Sequence, residues 1–457
     1  MSNAIPRFVS TTMSWVLIWG LILPFGLTSV SGIARAQIAL IRDAEIEHSI
    51  RMYAAPLFAA AGLPMENVRV HIVASRELNA FVTGGQNIFF NTGLLLASES
   101  SGEIMGVLAH ETGHILGGHL SRTRDAMETA SAQAAIAMLI GVMAMASGQT
   151  DAGAAISLGG SHLARQSLLK YSRTQEAVAD QTAVTLLRES GYSPAGLLAM
   201  MERLRGQEAL VTERQDAYVR SHPLPRDRIG SLRAAVANAP PGHSLAAFDA
   251  ALARMQAKLY GFTERPARTY RRYADDNSLA ARYGLAIAYH RDNKPQQSIE
   301  SIDGLLSEYP NDPYFHELKG QFLFEQGKAK KAVSVLRRAV ELKPSNPLIL
   351  LALGQALVAT EEAGSNREAI QHLQMAVERE KRLVSAWHQL AIATGRDGQM
   401  AKSALASAEH ALLLRRVRDA GMFARRASKN LPAGSPGELR ARDILAAIDR
   451  VLKKKAK

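Results

Sequence analysis

The C-terminal half of this chain repeats itself. Asn311-Asp312-Pro313 and Ser345-Asn346-Pro347 lie 34 residues apart, as do Pro310 and Pro344, and Gly320 and Gly354. A fixed period of this kind means that one small unit recurs and buries its apolar face only against its neighbours. At 34 residues the unit is a helix–turn–helix pair, with small residues where the helices cross. Gly284, Gly320, Gly354 and Ala391 mark four first helices, at spacings of 36, 34 and 37, and Trp387 and Leu390 open the fourth. Gly327 to Gly364 is 37 residues, which places a small insertion around 361–365. Stacked pairs form a concave face for extended peptides or partner proteins. The expectation is an α-helical solenoid over 276–452, closed by a basic tail at 453–457.

The N-terminal half carries chemistry. His110-Glu111-Thr112-Gly113-His114 reads H-E-x-x-H. On a helix, residues four apart share a face, so both imidazoles can reach one metal ion. Glu111 lies one step around and is placed to act as a base without being a ligand. This is the zinc-peptidase signature. A catalytic zinc takes three protein ligands and keeps a fourth position open. His119 sits about 180° from His110 at 100° per residue, so it cannot join the same ion while the helix continues. The third ligand should come from a second helix. Glu176 and Asp180 are four apart and share a face, and Ala177 and Ala179 would let that helix pack closely on the first. Glu176 is expected as the third ligand. Asp180 is expected to orient a ligating imidazole from behind.

H-E-x-x-H followed by Glu176-Ala177-Val178-Ala179-Asp180 resembles the metallopeptidases related to the CAAX prenyl protease and the heat-shock protease HtpX. Three further segments resemble that family: Leu40 to Glu47, Asn79-Ala80-Phe81 with Gly84-Gly85, and Ser221-His222-Pro223-Leu224-Pro225 with Arg228-Ile229. The resemblance spans residues 40 to about 235. The remainder resembles the TPR half of one subgroup, the periplasmic beta-barrel assembly-enhancing proteases. It implies one Zn2+ per chain and quality control of outer-membrane assembly. Substrates would be unfolded or stalled outer-membrane proteins, with the TPR repeats docking substrate or the beta-barrel assembly machinery. The competing reading is a TPR adaptor or chaperone for envelope proteins whose peptidase is latent.

His222 precedes a proline, which biases it toward an extended backbone suited to a side chain aimed at a fixed target. Two roles remain open. It could fill the fourth zinc position at rest, or donate a hydrogen bond to the oxyanion of the tetrahedral intermediate, with Arg228 as a second candidate donor.

The N-terminus reads as a targeting segment. Arg7 precedes an uncharged apolar run from Trp15 to Val30, and Ala34-Arg35-Ala36 forms a small-x-small site, so cleavage after Ala36 is expected. An uncleaved anchor is the alternative. The resemblance then implies the periplasm. The chain has no cysteine, which excludes a thiol nucleophile, a Cys-ligated zinc and disulfides. Its net charge is +12. No nucleic-acid motif accompanies that charge, so it reads as a solvated surface or as attraction to an anionic membrane surface or acidic partner.

Between Gly62 and Gly93 the pattern turns to strands. Val68 to Val73 alternates, and Asn79 to Thr83 and Asn87 to Asn91 flank Gly84-Gly85-Gln86, which suggests a hairpin. An edge of that sheet could pair with an extended substrate, or the sheet could simply pack against helices. Residues 129–150 carry no charge. Their apolar centre, Ala134 to Ala146, is short of the about twenty residues of a membrane span. A buried helix, a lid or a membrane contact are the readings for that stretch. The fold class expected is mainly α: a zincin-like α+β metallopeptidase domain with a small sheet over 37–238, connecting helices over 239–275, then the TPR solenoid.

Overall fold

The computed structural model describes residues 39–83, 86–119, 172–205 and 226–455, with isolated positions between 121 and 138 and at 218 and 222. The expected signal segment, 1–36, and almost all of 129–150 lie outside the described residues. The chain divides into two compact units, one ending at Leu259 and the other beginning at Tyr260. Among the described residues no helix is long and apolar enough to cross a membrane.

The first unit sets helices against a four-stranded sheet. Helix α1 (Ala44–Ala60) starts at Asp43, whose carboxylate accepts from the backbone N–H groups of Glu45 and Ile46 at 3.0 and 2.9 Å. Those are donors that the first helical turn leaves without partners. The sheet runs β1 (Leu40–Ile41), β2 (Arg69–Val73), β4 (Asn87–Asn91), β3 (Ala80–Thr83) in spatial order. β3 and β4 form the antiparallel hairpin that the glycine-rich turn suggested, with Ala80 opposite Phe90 and Thr83 opposite Asn87. β2 pairs with β4 in parallel and with β1 antiparallel, so the sheet is mixed. Alternation shows which face a strand buries but not which strand lies beside it. In β4, Ile88 and Phe90 are buried with α1 residues Tyr53, Leu57 and Phe58 in one core. Helices α2 (Thr92–Ala97) and α3 (Ser101–Leu116) follow β4 directly.

The helix Ala246–Thr263 supplies Leu252, Met255 and Leu259 to that same core. The Tyr53 hydroxyl donates to the carbonyl of Phe248 at 3.0 Å. Lys258, buried, sets its ammonium 2.8 Å from Asp43 and 3.4 Å from Glu45. A buried ammonium needs such partners. This helix lies in the stretch read from sequence as a connector, and its residues up to Leu259 pack into the core of the first unit.

The second unit is built of helix pairs: Leu279–Arg291 with Pro295–Glu308, Pro313–Glu325 with Ala329–Leu342, Pro347–Ala359 with Ala363–Arg379, and Val384–Arg396 with Met400–Leu413. The helices Val417–Asn430 and Pro436–Lys455 extend the array. The repeated Asn-Asp-Pro and Ser-Asn-Pro triplets are helix starts. Asp312 and Asn346 cap the helix with their side chains, and Pro313 and Pro347 occupy the first turn. A Cβ on Gly320 would overlap Leu336, and one on Gly354 would overlap Leu373. The two crossings are therefore the same contact one repeat apart.

The insertion follows the turn at Glu361. The left-handed turn residue recurs as Asn293, Gly327, Glu361 and Gly398, so Glu361, not Gly364, is the counterpart of Gly327. The extra residues lie inside the second helix of the third pair, which is 17 residues long against 14 in the second. A non-glycine residue in that conformation is uncommon, which hid the register.

Candidate metal centre

Helix α3 runs through the core of the first unit, with residues 101 to 113 buried along its length. It begins at Ser100, whose hydroxyl accepts from the N–H of Glu103. Two of its glycines are close approaches of other helices. A Cβ on Gly106 would sit 2.6 Å from the backbone of Leu197, and one on Gly113 would sit 2.8 Å from the carbonyl oxygen of Ala179. Gly113, one of the unspecified positions of H-E-x-x-H, thus lets the helix over 172–189 approach. Ala179 is the buried contact; Ala177 is exposed.

That approach brings Glu176 and Asp180 onto α3. His110, His114, Glu176 and His222 each offer one ligand atom, all within 4.8 Å of one another. His110 Nε2 lies 3.1 Å from His114 Nε2 and 3.3 Å from Glu176 Oε2, and His114 Nε2 lies 3.4 Å from Glu176 Oε1. A tetrahedral zinc with bonds of about 2.0–2.1 Å needs ligand atoms about 3.3 Å apart. The spacing and the N,N,O donor set fit such an ion.

His222 joins the ligand atoms. Its Nδ1 is 3.3 Å from His110 Nε2 and 3.1 Å from Glu176 Oε2. Its own N–H donates to the carbonyl of Tyr218 at 2.8 Å, and the Tyr218 ring lies against the imidazole at 4.7 Å between centroids. Tyr218 is fully buried and donates its backbone N–H to Leu78, next to the hairpin.

Behind the ligands stands a carboxylate–guanidinium layer. His110 Nδ1 is 2.9 Å from Asp180 Oδ1. Arg228 grips Asp180 with two hydrogen bonds of 2.6 and 2.8 Å and reaches Glu176 Oε2 at 3.0 Å. The two-pronged fork is the geometry in which arginine best holds a carboxylate. Its guanidinium is thus turned toward the two acids rather than away from them.

The electrostatics separate the groups. Burial pushes the His110 imidazole down, but hydrogen bonds with Asp180 and Glu176 outweigh it and carry the pKa up to about 9. A proton there would have to leave when a metal binds. Burial, then the neighbouring His110, pushes His114 down to about 2, so its lone pair is available. Burial pushes Glu176 up, but His222 and His110 hold it well below the usual carboxylate range. Burial likewise raises Asp180, and Arg228 and His110 overcome it.

Glu111 differs from the others. It is fully buried, and neither carboxylate oxygen has a hydrogen-bond partner among the described residues. His222 Nε2 lies 3.5 Å from one oxygen. Burial raises the Glu111 pKa, partly offset by His222 and His110. An unpartnered buried carboxylate costs free energy unless it acts on something that enters the site.

His119 lies past the end of α3, which stops at Leu116. Because the helix does not continue to it, its position is not fixed by the angular spacing of an unbroken helix. His119 packs on the far side of His114, with the two Nδ1 atoms 2.9 Å apart. Sequence spacing gave no signal for that contact, because a left-handed turn at Gly118 intervenes.

Residues 41–236 match the profile of Peptidase family M48, and residues 320–360 match a TPR repeat. A beta-barrel assembly-enhancing protease of Yersinia pestis is 24% identical over 421 residues, covering 88% of this chain and 83% of that protein. The protein of the same description from Escherichia coli (strain K12) is 25% identical over 407 residues, covering 88% and 82%. Metalloprotease LoiP of Escherichia coli (strain K12) is 28% identical over 196 residues, covering 43% and 73%.

Proposed function

We propose, from the match of residues 41–236 to Peptidase family M48 and of the residues that follow to TPR repeats, that this metalloendopeptidase cleaves unfolded or stalled outer-membrane proteins. The observation that carries the peptidase mechanism is the convergence of His110, His114 and Glu176 beside a buried Glu111 without partners. In this reading His110, His114 and Glu176 hold one zinc ion. Bound there, zinc would supply a Lewis acid for the scissile carbonyl and lower the pKa of water toward about 7. Glu111 takes the proton of the attacking water and passes it to the leaving amine. Burial raises its pKa, the direction that favours holding the proton between those two steps. Asp180 fixes the tautomer and direction of His110, and Arg228 fixes Asp180.

The substrate assignment rests on the similarity to beta-barrel assembly-enhancing proteases and on the repeats, which offer a surface for extended chains. β3 is an edge strand among the described residues and packs beside α3. An extended substrate could add to it by backbone pairing, which gives broad side-chain tolerance. The periplasm is the compartment this reading implies, reached by cleavage after Ala36.

A second reading has its own observation. His222 Nδ1 stands among the ligand atoms, where a fourth ligand would stand. A peptidase held latent by His222, with the repeats acting as an adaptor until the loop moves, fits that position.

The test is cleavage of an unfolded outer-membrane β-barrel protein, with metal content measured on the same sample. Wild type should bind about one zinc and cut. Glu111→Gln should keep zinc and fold yet lose about 10²–10⁴-fold in turnover, the usual range for a general base. Wild-type rates in zinc-loaded Glu111→Gln would overturn the mechanism.

A further inference from the structure

We infer that His119 is a positioning residue for the metal site: it accepts a hydrogen bond from Nδ1–H of His114 and so aims His114 Nε2 at the ion. The inference rests on the metal-site reading above and adds a residue to it.

The geometry is specific. His114 turns Nε2 toward His110 and Glu176. Its other nitrogen, Nδ1, lies 2.9 Å from His119 Nδ1. A histidine that binds metal through Nε2 carries its proton on Nδ1 and needs an acceptor there. His119 supplies that acceptor when its own proton sits on Nε2. The arrangement matches His110, whose Nδ1 faces Asp180 at the same 2.9 Å. The two ligand imidazoles are thus backed differently, one by a carboxylate and one by a neutral ring.

The surroundings are built to hold that ring. His119 is buried. A Cβ on Gly117 would overlap the imidazole, so glycine there makes its room. Gly118 has a φ of +59°, which turns the chain back over the end of α3. The carbonyl of His119 accepts from Gln175 Nε2 at 3.2 Å, and Thr123 donates to the other end of that amide at 2.9 Å. Gln175 precedes Glu176, so the segment that backs one ligand is tied to the residue beside another.

The experiment compares zinc affinity of full-length wild type, His119→Leu, His119→Asn and Gly117→Ala, by competition with a chromogenic chelator. Thermal melting of the metal-free proteins is recorded alongside. His119→Leu fills the space but cannot accept, and should weaken zinc binding about 10–100-fold. His119→Asn places an amide oxygen near the Nδ1 position and should restore most of that loss. Gly117→Ala displaces the ring and should fall with His119→Leu. Zinc affinity of His119→Leu within about twofold of wild type would overturn the inference, as would His119→Asn binding no better than His119→Leu. If His119→Leu fails to fold, His119→Asn against Gly117→Ala decides in the same way. A wild type that binds no zinc would instead sink the metal-site reading itself.

Discussion

At the scale of single residues, the centre divides into side chains that local spacing reveals and side chains that only the fold can bring. His110 with His114, and Glu176 with Asp180, are pairs four apart, and helical periodicity alone puts each pair on one face. His222 arrives from a loop, and nothing in Ser221-His222-Pro223 says what it meets. In the structure it meets Glu176 and His110 at hydrogen-bond range and leans on Tyr218. Arg228 was equally open in sequence, and its place is settled by Asp180 across 48 residues of chain. The two roles for His222 predict opposite signs. If it occupies the fourth ligand position at rest, His222→Ala should raise cleavage of unfolded substrate and broaden it to include self-cleavage. An oxyanion donor would instead cost about 10²–10³-fold. The position of Nδ1 among the ligand atoms favours the increase. Rates on one substrate, together with mass analysis for self-cleavage products, decide between them.

At the scale of elements, what places Glu176 is the closeness of two helices, and Gly113 controls that closeness. The sequence showed small residues on the second helix, but the glycine that receives Ala179 sits inside the motif itself, where it is easily taken as filler. Gly113→Ala should be informative because two effects oppose. Within a helix, alanine is favoured over glycine by about 0.8–1.0 kcal/mol. Here the new Cβ would lie 2.8 Å from a backbone oxygen, and such overpacking costs about 1–3 kcal/mol. The net should be lower stability and weaker zinc binding. Gly230, in the helix Arg226–Ala237, is the control: a Cβ there meets nothing within 4 Å. Gly230→Ala should stabilise by up to about 1 kcal/mol. Denaturant melts of both variants test the contrast, and equal shifts would mean that Gly113 is only a helix residue. The sheet teaches a similar lesson. The β3–β4 hairpin was readable because its turn is local, whereas the parallel β2–β4 pairing was not.

At the scale of the whole molecule, the natural experiment is to separate peptidase from repeats, and the structure moves the place to cut. The break at Pro240-Pro241-Gly242 looks like the end of the peptidase half in sequence. Deleting from there would remove Leu252, Met255 and Leu259 from the first core, and Lys258 from Asp43 and Glu45. Losing several buried leucine- and methionine-sized side chains costs about 2–5 kcal/mol each, more than a typical domain can spare. A truncation after Pro240 should therefore be unfolded and inactive on every substrate, which would say nothing about the repeats. A truncation after Arg265 keeps the helix Ala246–Thr263 whole. That shorter chain should keep zinc and cut a small generic peptide at close to the full-length rate. On unfolded outer-membrane protein it should fall well behind, if the repeats recruit the target. Equal efficiency on peptide and protein would make the repeats a stabilising appendage. Because the peptide assay reports the peptidase unit by itself, failure on protein alone can be assigned to the missing helix pairs.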